Sequence, residues 1–212
     1  STKMNNMVDQ LSPRLSLSYR FYKDFYVNGN IGRFFELPAY TSMGFKDNQG
    51  EYINKVNGLQ YIRSDQAGIG LEFRPKSYLK FTAEGFYKHY DRYPMSLTDS
   101  IPLASKGADY GVLGNEAVQS IATGRAYGLE LILKKNHGRI TGWISYAVGK
   151  SERKFDEING GNYFPAKFDR RHDLSATFNY KINPRWDLSV TQIYATGNTY
   201  TQPSSWYFIN GL

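Results

Sequence analysis

Short and long connections alternate without exception between the period-two segments of this 212-residue chain, and few folds accept that arrangement. Eight segments carry apolar side chains at every second position, as half-buried strands do. They are RLSLSYRF (14 to 21), FYVNGNIGRFFEL (25 to 37), AGIGLEFRP (67 to 75), LKFTAEGFYKHY (79 to 90), 124 to 135, 139 to 149, HDLSATFNYKI (172 to 182) and RWDLSVTQIYATG (185 to 197). No segment reads as a helix. Four connections are tight turns of hairpin type: Tyr22-Lys23-Asp24, Lys76-Ser77-Tyr78, Asn136-His137-Gly138 and Asn183-Pro184. The three between them are long: 38 to 66, 91 to 123 and 150 to 171.

Compact soluble domains rarely hold three structureless loops of more than ~15 residues. Membrane barrels of the outer-membrane type do, with short turns on the periplasmic side and long loops outside. About ten residues at ~3.3 Å each, tilted by ~45°, span roughly 23 Å, close to the ~25 Å apolar band of such barrels. The expected fold is therefore all-β: an antiparallel transmembrane β-barrel segment of about eight strands in hairpins. Residues 1–212 read as part of a single barrel domain, with no separate plug domain. In this fold the apolar face meets outer-membrane lipid, and Glu72, Lys80, Glu84, Lys88, Glu130 and Lys134 face a lumen. Aromatics near strand ends, such as Tyr19, Phe25, Tyr87, Tyr146 and Trp186, suit the girdles at the two membrane interfaces.

Composition narrows the function. The net charge is +7, yet basic residues form no cluster longer than Lys134-Lys135 or Arg170-Arg171, and no nucleic-acid reading motif accompanies them. No nucleic-acid partner is expected. There is no cysteine, so no disulfide or thiolate metal site. No apolar run approaches the ~18 residues of a spanning helix, and STKMNNMVDQ lacks the apolar core of an export signal. His89, His137 and His172 are not at metal-ligand spacing. Phosphate-loop, dinucleotide and nucleophile-elbow patterns do not occur. Asp169, His172 and Asp173 could be imagined as an acid-base group, but they read better as paired charges where a strand begins. No catalytic residue, metal or cofactor is expected.

Residues 124 to 197 resemble the later barrel strands of TonB-dependent outer-membrane receptors. The matching elements are a Gly-x-x-x-Gly-x-Glu strand (Gly124 to Glu130), a Gly-Trp-x-x-Tyr strand (Gly142 to Tyr146) and an Asp-Arg-x-His-Asp-Leu-Ser strand start (Asp169 to Ser175). LSPRLSLSYRF (11 to 21) looks like the strand of that family that follows a long loop. The resemblance implies an internal piece of a 22-stranded barrel in the Gram-negative outer membrane, taken from its C-terminal part. It also implies partners outside this chain: a plug domain, TonB, and a scarce solute such as a siderophore, cobalamin, saccharide or peptide.

Solute contact is expected from loop aromatics and one cation: Tyr93, Tyr110, Tyr163, Phe164 and Arg170. Amphipathic rings of this kind recognise sugars, peptides or chelates. Two other readings are a passive porin or small eight-stranded barrel, and a soluble β-sandwich adhesin or carbohydrate-binding domain. The faces separate them. Leu131→Arg, at mid-band on the apolar side, is expected to cost ~2–4 kcal/mol of stability in bilayers, and Glu130→Gln much less. Unfolding of both variants in vesicles checks this, and equal tolerance would show the environment to be misread.

Overall fold

The computed structural model describes residues 8–103, 106, 113–156 and 159–199. Its strands are β1 (Arg14–Tyr22), β2 (Phe25–Glu36), β3 (Ile62–Lys76), β4 (Leu79–Ser96), β5 (Val118–Lys135), β6 (Ile140–Lys154), β7 (Phe164–Pro165), β8 (His172–Asn183) and β9 (Trp186–Ala195). All pair antiparallel in one sheet of order β1-β2-β3-β4-β5-β6-β8-β9, with the two-residue β7 lying against the far end of β6. Among the described residues no pairing joins β1 to β9. The sheet is open, and these strands do not close as a complete eight-stranded barrel would.

The register sorts the side chains. One row runs across all eight long strands: Tyr19, Val27, Leu71, Ala83, Leu131, Tyr146, Leu174 and Tyr194. The row one residue along carries Ser18, Asn28, Gly70, Glu84, Glu130, Ala147, Asp173 and Ala195. Successive residues of a strand point to opposite faces, so the first row lies on an apolar face and the second on a polar one. The six residues expected in a lumen all share the polar face. Apolar side chains that depart from the alternation and join them there include Phe34, Phe86, Ile132, Trp143 and Ile193.

The apolar face is not a core. Leu17 is 70%, Ile69 68% and Leu129 41% exposed. The buried apolar residues are Leu59, Met95, Leu103, Val118, Ala122, Phe155, Ala166 and Ala176, and all but Ala176 lie at the end of the sheet that carries the long connections. A soluble sandwich would bury the Leu, Ile and Val of its strands against a second sheet. Here those side chains are left for a solvent of their own kind.

At the end that carries the long connections the strands are longer than the alternation predicts. β3 begins at Ile62 rather than 67, β4 runs on to Ser96, β5 starts at Val118 and β6 continues to Lys154. Tyr93 and Met95, assigned to a loop, are strand residues. These extensions mix polar and apolar side chains on both faces, and β4 slips register against β5 between Tyr90 and Pro94, so the two-residue alternation disappears while the backbone ladder continues. The expectation of no helix is also corrected: α1 (Tyr40–Gly44) and α2 (Ile53–Val56) lie in the connection between β2 and β3. Each is at most about a turn and a half, too short for a helical period to show.

Two glycines of the apolar face differ in what they tolerate. Gly142 has φ of 147°, and a Cβ there would run into the backbone carbonyl of Thr177 on β8. At Gly29 the nearest atom to an added Cβ is 4.0 Å away. Gly142→Ala is therefore expected to cost about 1–3 kcal/mol and Gly29→Ala to be near neutral. Heat-modified gel migration of the refolded variants measures the difference.

Candidate functional site

The polar face is zoned along the strands. Near the short turns, Glu72 is buried and held between Lys80, at 2.7 Å, and Arg74. Lys80 lies opposite Lys134 on the neighbouring strand. One step further, Glu84 of β4 lies directly opposite Glu130 of β5. Among the described residues Glu84 accepts only a long hydrogen bond, 3.4 Å, from Asn30 Nδ2. Across Ala147 the same row continues to Asp173. Among the described residues none of these three carboxylates has an ion-pair partner. Like charges directly opposed in a sheet repel.

At the other end, the long connections fold into a packed cap. The buried Asn54 side chain of α2 joins two of them. Its Nδ2 donates to the carbonyls of Ser42, at 2.7 Å, and Glu116, at 2.8 Å, and its Oδ1 accepts from Val118 N–H at 2.7 Å. Leu59, Leu103 and Val118 pack beside it, with Met43 and Leu113 against them. Lys106 then bridges Asp99, at 2.7 Å, and Glu116, at 2.7 and 2.8 Å, and Ser96 Oγ donates to Glu116. Partial burial would raise the Asp99 carboxyl, but Lys106 and the Ile101 N–H outweigh it and hold the group below its usual range. Burial would likewise lower the Lys106 ammonium, and the two carboxylates outweigh it and hold it above its usual range.

Three of the five expected contact residues fall in neighbouring parts of this end. Tyr93 packs on the small core of Met95, Ala122 and Phe155, with Arg153 4.8 Å over its ring. Phe164 of β7 packs on Phe155 with ring centroids 5.3 Å apart. Tyr163 lies 3.8 Å beneath the guanidinium of Arg125, which pairs with the buried Glu152 at 2.7 Å. Tyr163 also lines a pocket of about 290 Å³ with Met95, Ile121, Thr123, Lys154, Phe155 and Asp156. Arg170 stands apart, its Nε donating to Asn198 Oδ1 at 2.9 Å, in a separate recess with Phe86 and Asp173. Tyr110 lies outside the described residues. Asp169, once weighed as part of an acid-base group with His172 and Asp173, instead accepts from the Ser151 N–H at 2.6 Å, and His172 Nδ1 meets Tyr146 Oη at 2.8 Å. Among the described residues no group of three metal-ligating side chains converges.

The sequence model of the family described as TonB dependent receptor-like, beta-barrel, matches residues 1–211. The chain belongs to this family. It is a barrel segment of an outer-membrane receptor, a family of receptors rather than of enzymes. The fold is similar to that of the alcaligin outer-membrane receptor FauA from Bordetella pertussis, with a TM-score of 0.55 and 15% sequence identity over 87% of this chain. The match spans 30% of the FauA chain. No curated protein sequence matches the receptor segment.

No local pattern marks Asn54, Lys106 or Glu116, whose partners are up to 64 residues away. Asn54→Ala leaves the Val118 N–H buried without its acceptor. It is expected to cost about 1–3 kcal/mol in the cap while the sheet stays paired. The Asp99 share of the cap's stability is present above pH 3.8 and lost as pH falls through its lowered value. The Lys106 share is present below pH 10.5 and lost only as pH rises through its raised value. Limited proteolysis of the cap should therefore accelerate for Asn54→Ala at neutral pH, and for the parent protein below about pH 4.

Proposed function

We propose that this segment forms wall and external loops of a receptor that takes up a scarce solute by TonB-driven movement of a plug. The supporting observation is the opposed pair Glu84 and Glu130. In this reading the polar face is the inner wall, and Glu72, Lys80, Glu84, Lys88, Glu130 and Lys134 line the lumen. A plug filling that lumen supplies cationic side chains to the carboxylate row. It also covers Ile132, Trp143 and Ile193, which a water-filled pore would leave wet. Solute is met outside, at the cap and at the aromatic cluster of Tyr93, Tyr163 and Phe164. A receptor of similar fold takes alcaligin, so a ferric siderophore is the first solute class to try, before cobalamin, saccharides and peptides.

The passive-porin reading needs no plug and no energy source. Uptake of labelled candidate solutes should vanish when TonB is removed from the cell, whereas a porin would continue to conduct. In the receptor, Glu84→Gln combined with Glu130→Gln is expected to leave assembly intact and lower uptake at least tenfold. Lys134→Gln should change it little. Uptake by the double variant equal to that of the parent would remove the plug contact from the account.

A further inference from the structure

The two faces of the wall treat their cations differently at the end that carries the long connections. On the face that bears the apolar band, the register sets Arg33, Asp65, His89, Arg125 and Glu152 in one row across five strands. Its arginines are neutralised: Arg33 by Asp65 at 2.6 Å, and Arg125 by Glu152 at 2.7 Å. The polar face at the same height has two rows. Arg14, Gly32, Gln66, Lys88, Ala126 and Ser151 form one, and Phe34, Ser64, Tyr90, Gly124 and Arg153 the other. Neither contains a carboxylate.

Each cation of these rows instead rests on an aromatic ring. Arg14 is 4.3 Å from the Phe34 centroid, Lys88 5.2 Å from Phe86, and Arg153 4.8 Å from Tyr93 and 5.8 Å from Tyr90. None of the three has an ion-pair or hydrogen-bond partner among the described residues. Arg153 Nε and Nη1 are sheltered and meet no acceptor. A ring face attracts a cation but accepts no directed hydrogen bond from a guanidinium in the way a carboxylate does. The ring fixes the cation and leaves its donors wanting. Gly124 keeps the place open, since a Cβ there would lie 2.7 Å from Arg153 Nη1.

We infer that this rim is an anion-recognition site, and that the solute of the receptor presents carboxylate, phosphate or comparably charged oxygen groups to its cations, with Lys88 on β4 and Arg153 on β6 two strands apart and Arg14 further along on β1. This rests on the polar face being the inner wall of the solute path. The rim cations meet the anionic groups of the solute above the Glu84–Glu130 row, which would repel them if they arrived first. A cationic solute is disfavoured at the same rim.

The test uses the receptor purified in detergent, with inorganic pyrophosphate as probe and sodium chloride at matched ionic strength as blank, followed by titration calorimetry. The parent should bind pyrophosphate, less tightly as salt rises. Arg153→Gln should weaken binding roughly tenfold or more, the value of a charge-assisted hydrogen bond, and Arg153→Lys much less. The triple variant Arg14→Gln, Lys88→Gln, Arg153→Gln should lose binding, while Lys134→Gln at the other end of the face should retain it. Melting of each variant guards against misfolding, and Lys88→Gln alone, expected to weaken binding, serves if the triple variant does not assemble. No binding by the parent, or equal binding by parent and Arg153→Gln, overturns the inference. Anion binding that follows this pattern in a receptor whose uptake ignores TonB would sink the uptake mechanism and leave the rim standing.

Discussion

Every backbone N–H and C=O within the membrane band must find its partner in a neighbouring strand, because hydrocarbon offers none and each unmet group costs several kcal/mol. The antiparallel ladder from β1 to β9, whose register slips only beside the short turns and beyond Tyr90 of β4, meets that demand for the interior strands, and the rest of the molecule follows from it. Fixed pairing means fixed alternation. Once Leu131 stands beside Tyr146 and Ala83, Glu130 must stand beside Ala147 and Glu84. The opposed carboxylates are thus a consequence of the register that aligns the apolar band.

The same ladder continues past the apolar band. There both faces are in contact with water or protein, and the constraint on side-chain type is relaxed. Packing takes over: Val118, Leu59 and Leu103 make a small core, and Asn54 ties the connection after β2 to the one before β5. The electrostatics divide at this level too. Ion pairs such as Arg125–Glu152 close the row on the face of the apolar band, while the rows of the polar face keep cations on rings.

The strands inside the band were legible because a lipid-facing position admits few side chains, so Leu129, Leu131 and Leu133 announce themselves by spacing alone. The same reasoning recovered the polar face residue by residue. It failed at Tyr93 and Met95, where β4 slips register against β5 and the regular alternation is lost. Nor did it find the Asn54 node or α1 and α2, which depend on contacts between distant loops and have no local period. Tyr163 and Phe164 were legible as loop aromatics, but their geometry was not: β7 sets Phe164 on Phe155 through a two-residue pairing that spacing cannot reveal.

The separation of the packed core from the apolar band has a thermodynamic consequence. The cap is held by contacts that exist in water, whereas the band is held by whatever amphiphile surrounds it. Changing the detergent changes the medium of one and leaves that of the other alone. A single melting temperature is then not a property of this chain. The band's transition will track the lipid or detergent, and the cap's will track pH and salt.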